Sequence, residues 1–281
     1  MQSLLPVIIQ TKTLEQLLAQ DAVVIIEVGA EEAYMQGHVP GAVHCDYNIL
    51  LQGTEPVPNK VAESSRLQAC FSRLGITPDK HVVAYDRDAG VSAARLLWTL
   101  DLMGHHAYSL LDGGWYAWEQ EQLPVDDALP EISAMTAASA WFVTAYHADV
   151  RITREELMLL AAQKTQHKDA AMPVIWDVRS RAEYAGLDKR SARAGHIPGA
   201  LHYEWKRALG ADLKIRPKQQ LLAELQHSGL HPKQETIVYC QTHRRSAFVF
   251  VLAKYLGFSK VRGYDGSWNE WGNCQDTPIQ T

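Results

Sequence analysis

The chain has 281 residues, of which 47% are hydrophobic and 21% charged, and its formal net charge at pH 7 is −5. A length of this order predicts one or two globular domains, and the slightly acidic balance excludes a general binder of nucleic acids or membrane surfaces. Any attraction for anions must therefore be local.

Cysteine spacing indicates a reducing compartment. None of the four cysteines belongs to a C-x-x-C pair, which argues against a zinc cage, a thioredoxin-type couple and a disulfide framework. The first residues lack the basic segment and long apolar core of a signal peptide, and no apolar run is long enough to span a membrane. We therefore expect a cytoplasmic protein with no metal and no cofactor.

The chain contains an internal repeat, in which three segments of the first half recur in the same order in the second. They are an apolar strand with an acid near its end, a Gly-His-x-Pro-Gly-Ala box and an Asp-Gly-x-Trp-x-x-Trp box. The paired segments are 23–28 with 174–178, 37–44 with 195–202, and 112–118 with 265–271. Two copies of this length indicate two similar domains and not a solenoid.

Within each copy, short β-type runs alternate with helical patterns. This alternation predicts an α/β fold with two similar domains, each a parallel sheet flanked by helices on both faces. In the second half the pattern predicts strands at 174–178, 237–239 and about 260–264, and a helix from Pro217 to Gly229.

Local signals also suggest where helices start and where the domains divide. Thr13 with Gln16, and Thr153 with Glu156, form the pattern of a capping box that opens an early helix in each half. An aperiodic stretch rich in Pro, Ala and acidic residues follows the first copy. We therefore predict a first domain at 1–124, a linker at 125–145 and a catalytic domain at 146–281.

The most informative segment follows the predicted strand 237–239. The strand leads into Cys240, a short polar and basic loop follows, and a helical pattern starts near Ser246. A strand–loop–helix of this kind points loop N–H groups inward, and the helix dipole adds partial positive charge. A cysteine at the mouth of such a loop is expected to be a thiolate at neutral pH, and hence a nucleophile.

The two copies differ at this position. Residues 75–80 and 229–234 align without a gap, and the same register places Asp86 opposite Cys240. Asp86 and Asp88 would repel an anion, and neither can act as a sulfur nucleophile. We therefore expect the second domain to carry the chemistry and the first to support it.

Together, these boxes and the single thiol-bearing loop resemble the tandem-domain rhodanese family of sulfurtransferases over nearly the whole chain. In that family the first domain is typically an inactive copy, and here Asp86 stands at its cysteine position. The run from Cys240 to Ser246 most resembles the Cys-Gln-Thr-His loop of bacterial thiosulfate sulfurtransferases. The family also uses an arginine just before a tyrosine near the start of the second domain. Here Glu183 precedes Tyr184, so that substrate contact is not carried over.

The loop and the resemblance predict a double displacement. The Cys240 thiolate attacks the outer sulfur of thiosulfate, sulfite leaves, and cyanide or a thiol then takes the sulfur from the Cys240 persulfide. Loop amides would stabilise the anionic sulfur, and the planar fork of Arg245 would hold the oxyanion end of the donor. Trp205 either lines the pocket or packs in the core. The expected substrate-binding residues are Gln241, Thr242, His243, Arg244, Arg245, Ser246 and Trp205.

Other conspicuous residues receive structural interpretations. His38 and His196 recur in both copies, which favours a structural hydrogen bond over a metal ligand. The tryptophans of the Asp-Gly boxes are expected in the core, and Glu27 and Asp177 are expected to tie loops by hydrogen bonds. The other three cysteines lack a basic loop. The basic insertion 186–193 is either a solvated loop or a rim that guides anions.

Three alternative functions remain open. The loop departs from the mercaptopyruvate enzymes of the same family, but a 3-mercaptopyruvate sulfurtransferase is still possible. A cysteine-dependent phosphatase or arsenate reductase places five residues between cysteine and arginine, whereas four separate Cys240 from Arg245. A third alternative, from another class, is a non-enzymatic sulfur-carrier or partner-binding module.

Overall fold

The structure, a computed structural model, describes residues 5–127, 146–166 and 172–281. These residues form two compact units. The N-terminal unit takes its described residues from Met1–Gln52, Val61–His147 and Ala211–Lys214, and the C-terminal unit from Gly53–Lys60, Ala148–Gly210 and Ile215–Thr281. Apart from 125–127, the predicted linker 125–145 lies outside the described residues.

The N-terminal unit is a parallel five-stranded sheet with the order β1-β5-β4-β2-β3. Its central strands are apolar and buried, as expected for a sheet covered on both faces. Ile25 of β2 is aligned with Val83 of β4. The elements in chain order are β1 Ile8–Ile9, α1 Thr11–Glu15, β2 Val23–Val28, α2 Glu31–Met35, β3 Val43–Cys45, a 3-10 helix Tyr47–Leu50, α3 Ser64–Arg73, β4 His81–Tyr85, α4 Val91–Leu102, β5 Tyr108–Leu111 and α5 Gly114–Gln120.

The C-terminal unit is a parallel four-stranded sheet with the order β7-β6-β8-β9. This is the order of the corresponding strands β3-β2-β4-β5 in the N-terminal unit, so the internal repeat of the sequence is also a repeat of topology. The elements in chain order are α6 Arg154–Gln166, β6 Val174–Asp177, α7 Arg181–Tyr184, β7 Leu201–His202, a 3-10 helix Trp205–Ala208, α8 Lys218–His227, β8 Thr236–Tyr239, α9 Arg245–Leu256, β9 Val261–Gly263 and α10 Ser267–Trp271.

The predicted α/β architecture is confirmed, because each of the two units contains a parallel sheet. The predicted strands at 174–178, 237–239 and about 260–264 correspond to β6, β8 and β9. Helix α8 begins one residue after Pro217, the proline that signalled its start.

The two predicted capping boxes have different outcomes. In the C-terminal unit the Thr153 amide donates to Glu156 Oε2 at 2.8 Å and the Glu156 amide donates to Thr153 Oγ1 at 3.3 Å, which confirms the box before α6. In the N-terminal unit the prediction is wrong, because α1 starts at Thr11 and places Thr13 inside the helix. The preceding residue, Gln10, makes no side-chain cap.

A buried tyrosine at the end of each central strand connects the sheet to the Gly-His box. Tyr239 donates to Asp177 Oδ2 at 2.6 Å and accepts the Ile197 amide at 3.2 Å. In the N-terminal unit Tyr85 donates to Glu27 Oε2 at 2.7 Å, and its oxygen likewise accepts an amide from the box. The strand-end acids therefore tie loops by hydrogen bonds, as the sequence suggested.

Within the described ranges, no helix combines the length and the apolar character that crossing a membrane would require.

Candidate active site

The thiol-bearing loop lies between the central strand of the C-terminal unit and its most buried helix. Strand β8 ends at Tyr239, Cys240 follows directly, and α9 begins at Arg245. The loop backbone is fastened to α10, since the amide of Trp268 donates to the Cys240 carbonyl at 2.9 Å. His243 takes a left-handed φ of 56°, which lets so short a loop turn back on itself.

Cys240 Sγ is the focus of the donors of this loop. The Ser246 hydroxyl donates to Sγ at 3.4 Å, and the amides of Thr242 and Ser246 donate to it as well. Burial opposes ionisation of the thiol, but the charge of Arg245 and these donors outweigh it and hold the pKa of Cys240 below its ordinary value. The loop therefore favours a thiolate, as the sequence predicts.

The position of the thiol differs from the expectation in one respect. Cys240 lies at the floor of the loop with 0% of its surface exposed, and not at its mouth. The reason is that Cys240 continues a strand whose residues are all buried, while the loop residues Thr242, Arg244 and Arg245 are half-buried. A donor therefore approaches Sγ across the loop.

His243 and Ser246 form a chain of hydrogen bonds that ends at the thiol. Both side chains are fully buried, and His243 Nδ1 lies 2.7 Å from Ser246 Oγ. A hydroxyl has a single proton, so when Ser246 donates to Sγ its oxygen must accept from Nδ1–H of His243. His243, one of the expected substrate-binding residues, is therefore connected to the thiol through Ser246.

Arg245 does not present a free fork to the loop. Its Nη1 donates to Glu183 Oε2 at 2.7 Å and its Nη2 donates to Glu183 Oε1 at 2.8 Å. Arg245 also interacts with Cys240, so its single charge faces two anionic groups. The sequence predicted that this guanidinium holds the oxyanion end of the donor. In the structure, any such contact would form beside the existing ion pair with Glu183.

Glu183 and Ser267 also belong to the site, although the sequence marked Glu183 only as the residue in place of an expected arginine and did not mark Ser267. Glu183 is joined to Arg245 across 62 residues, a distance over which no local pattern operates. Ser267 accepts the Cys240 amide at 3.3 Å and donates to the Tyr264 carbonyl at 2.8 Å, from a backbone with a left-handed φ of 52°. The repeat offered a sign of a special role for Ser267, because the two copies differ at this position and the first copy has Gly114 there.

The remaining predicted substrate-binding residues lie in the loop or pack next to it. Gln241 donates through Nε2 to the Arg190 carbonyl at 3.3 Å and to Ser191 Oγ at 3.0 Å, so the insertion 186–193 is hydrogen-bonded to the loop that carries Cys240. Arg244 is the residue that precedes α9. Trp205 is 8% exposed and packs edge-on against Phe248 of α9, with ring centroids 5.7 Å apart.

In the N-terminal unit, the loop that corresponds to 240–246 is filled by its own side chain. Asp86 follows β4, is 1% exposed, and accepts the amides of Asp88 and Gly90 on Oδ1 and those of Ser92 and Ala93 on Oδ2, all within 2.7–2.8 Å. The Asp86 carboxyl group thus accepts the loop amides that an anion would otherwise accept, and this loop carries no thiol.

The structure also supports the structural interpretations of other residues. His38 and His196 hydrogen-bond through Nδ1 to the carbonyls of Tyr34 and Tyr184 and stack on the rings of these tyrosines. Within the described part of the chain, no group of three or more His, Cys, Asp or Glu side chains could hold a metal ion.

The tryptophans and the other cysteines are mostly buried. The box tryptophans belong to the two cores, and their indole nitrogens serve as structural donors in Trp118, Trp268 and Trp271. Cys45 and Cys70 are buried and hydrogen-bond each other, while Cys274 accepts a hydrogen bond from Arg154 at 2.9 Å.

Comparison with known proteins agrees with this architecture. The family described as "Rhodanese-like domain" matches residues 10–121 and 159–274. A protein named thiosulfate sulfurtransferase from Pseudomonas aeruginosa is 34% identical over 98% of this chain and 97% of its own length. A protein of the same name from Azotobacter vinelandii is 33% identical over the same shares, 98% and 97%.

Solved structures agree on the fold. The crystal structure of YnjE matches with a TM-score of 0.84 and 26% identity, covering 98% of this chain and 68% of that one. The wild-type structure of EanB has a TM-score of 0.82 at 21% identity, over 98% of this chain and 69% of that one, and supports the fold alone.

Proposed function

Because the chain belongs to the rhodanese family, as a sulfurtransferase with two rhodanese-like domains, we propose that it transfers the sulfane sulfur of thiosulfate to cyanide or a thiol through a persulfide on Cys240. The observation that carries the proposal is the set of donors around Cys240 Sγ. They favour an anionic sulfur in a place where the corresponding loop of the N-terminal unit holds a carboxylate.

In the first step, the Cys240 thiolate attacks the outer sulfur of thiosulfate. The new bond joins Sγ to that sulfur, the sulfur–sulfur bond of thiosulfate breaks, and sulfite leaves with the electron pair. The persulfide carries its negative charge on the terminal sulfur. The Ser246 hydroxyl and the amides of Thr242 and Ser246 donate to Sγ before the reaction. In this proposal the same preorganised donors stabilise the persulfide anion that forms.

In the second step, cyanide attacks the terminal sulfur of the persulfide. Thiocyanate leaves and the Cys240 thiolate is restored, so the enzyme ends as it began. A thiolate acceptor reacts in the same way and gives a persulfide product. Neither step requires a general base, because the attacking groups are already anions.

The N-terminal unit supports the fold and takes no part in sulfur transfer in this proposal. Asp86 cannot accept a sulfur atom, and its carboxyl oxygens accept hydrogen bonds from four amides of the loop.

The direct test is mass spectrometry of the protein after thiosulfate treatment. The wild type should gain one sulfur atom on Cys240 and lose it on addition of cyanide, with thiocyanate as the product. Cys240→Ser should do neither, whereas the matched control Cys274→Ser should behave as the wild type. Thiocyanate production by Cys240→Ser at the wild-type rate would refute the proposal.

A panel of other substrates separates the proposal from its alternatives. Faster persulfide formation from 3-mercaptopyruvate than from thiosulfate would favour a mercaptopyruvate enzyme. Hydrolysis of a phosphate ester without sulfur transfer would favour a phosphatase. A stable persulfide that no acceptor removes would indicate a sulfur carrier and not an enzyme.

A further inference from the structure

The pairing of Arg245 with Glu183 has a consequence for the choice of sulfur donor. Both terminal nitrogens of the guanidinium are engaged by one carboxylate, at 2.7 and 2.8 Å. This pairing uses the end-on edge of the planar guanidinium, one of its two-point donor edges. A donor that contacts Arg245 must therefore bind beside a carboxylate that already holds this edge.

Glu183 is a fixed negative charge. It is 1% exposed, and Ser180 holds it from its own helix: the Ser180 amide donates to Oε2 at 3.1 Å, and the Glu183 amide donates to Ser180 Oγ at 3.2 Å. Burial would raise the pKa of this carboxyl, but Arg245 and Ser180 lower it to about 2. The carboxylate is thus charged at every pH at which the enzyme would work.

The charge balance around the reacting sulfur follows from these contacts. The Cys240 thiolate and Glu183 are negative, and Arg245, which interacts with both, is positive. Glu183 Oε1 also lies 3.8 Å from Nε of Arg190, a side chain that is 54% exposed and whose charge is therefore screened by solvent. The buried Glu183 carboxylate repels a dianionic donor twice as strongly as a monoanion of similar shape at the same distance.

We propose that Glu183 is a specificity-determining residue that selects sulfane donors with a single negative charge, such as organic thiosulfonates and ionised alkyl persulfides, over dianionic thiosulfate. This inference rests on the proposed function, since it concerns the donor step at Cys240. Thiosulfate remains a donor, but Glu183 lowers its rate relative to a singly charged one.

The donor step has the same chemistry for a thiosulfonate. The Cys240 thiolate attacks the terminal sulfur of methanethiosulfonate, the bond between the two sulfur atoms breaks, and methanesulfinate leaves with the electron pair. Thiosulfate and methanethiosulfonate differ mainly in that a methyl group replaces one charged oxygen. They are therefore a matched pair for measuring the effect of donor charge.

The test compares kcat/KM for these two donors, with cyanide as acceptor, in the wild type and in Glu183→Gln. Each value is divided by the rate of the uncatalysed reaction of the same donor with cyanide, which removes the difference in leaving group. Glutamine keeps the shape of the side chain and its bond to the Ser180 amide but removes the charge. The ratio of thiosulfate to methanethiosulfonate should rise by about tenfold in this variant, because a donor with one more charge gains more from the change.

Glu235→Gln is the matched control. Glu235 is paired with Arg262 at 2.7 Å, but it precedes β8 and thus lies at the opposite end of that strand from Cys240. Removing its charge should leave the donor ratio within about twofold of the wild type, because solvent and ions screen charges at this range. An equal rise in both variants would overturn the inference, since it would be an effect of net charge alone.

The outcomes for the inference and for the proposed function are distinguishable. If neither donor places sulfur on Cys240, both fail. If both donors do so but the ratio in Glu183→Gln equals that of the wild type, the specificity inference alone fails. If Glu183→Gln does not fold, the wild type decides: methanethiosulfonate must have the higher corrected kcat/KM, and a higher value for thiosulfate would overturn the inference.

Discussion

Asp86 and Cys240 are structural counterparts, and each is the acceptor for the amides of its own loop. Asp86 follows β4 directly and receives the amides of Asp88, Gly90, Ser92 and Ala93. Cys240 follows β8 directly and receives the amides of Thr242 and Ser246. One loop geometry thus holds a buried carboxyl group in one unit and a reactive thiolate in the other.

The first prediction concerns the stability contributed by Asp86. Asp86→Ala should lower the free energy of unfolding by about 3 kcal/mol or more, because four loop amides lose the acceptor that they share. Thermal or urea unfolding measures the effect. Asp88→Ala, at an exposed position of the same loop, is the control and should cost less than about 1 kcal/mol. Sulfur transfer at Cys240 should persist in folded Asp86→Ala, and equal stability of the two variants would contradict this account.

The second prediction concerns the pKa of the thiol. Its pKa lies below the ordinary value, so the thiolate is present above that lowered pKa and is lost as the pH falls through it. Ser246→Ala removes the hydroxyl donor and should raise the midpoint by about one pH unit, which corresponds to about 1.4 kcal/mol. The rate of Cys240 alkylation by iodoacetamide against pH measures the shift.

Ser228→Ala provides the control for this measurement. Ser228 also donates its hydroxyl within the C-terminal unit, to the Glu224 carbonyl at 3.0 Å, but it lies at the end of α8 and not in the loop 240–246. Its alkylation profile should match that of the wild type. A Ser246→Ala profile that also matches would show that this hydroxyl does not stabilise the thiolate.

Much of the fold could be predicted from the sequence because the sequence repeats. Alternating apolar runs and paired boxes fixed the strands and the equivalence of Asp86 with Cys240, since these signals are local or occur twice. The pairing of Glu183 with Arg245 could not be predicted, because it depends on two elements that meet only in the folded unit. The full burial of Cys240 also depends on packing on both faces of β8, which a four-residue strand pattern does not reveal.

The third prediction compares the two buried tyrosines at the ends of the central strands. Tyr239→Phe removes a donor to Asp177 and an acceptor for the Ile197 amide, and should lower the free energy of unfolding by about 2 kcal/mol. Tyr85→Phe should have a similar effect through Glu27. Tyr116→Phe, at a residue that is 42% exposed, should be nearly neutral in the same unfolding experiment. A cost at Tyr239 no larger than at Tyr116 would show that the tyrosine bonds do not stabilise the fold.

The last prediction concerns acid stability and the Glu183–Arg245 pair. The folded-state pKa of Glu183, about 2, is lower than that of a glutamate in an unfolded chain, about 4.3. The pair therefore contributes its full stability above about pH 5, and this contribution is lost as the pH falls towards 2. Glu183→Gln should thus be less stable than the wild type by about 3 kcal/mol at pH 7, and the gap should narrow steadily in urea unfolding experiments between pH 5 and pH 3. Glu235→Gln breaks a more exposed pair and should show a gap below about 1 kcal/mol throughout. A gap for Glu183→Gln that is independent of pH would mean that the lost stability comes from packing and not from the charge of the carboxylate.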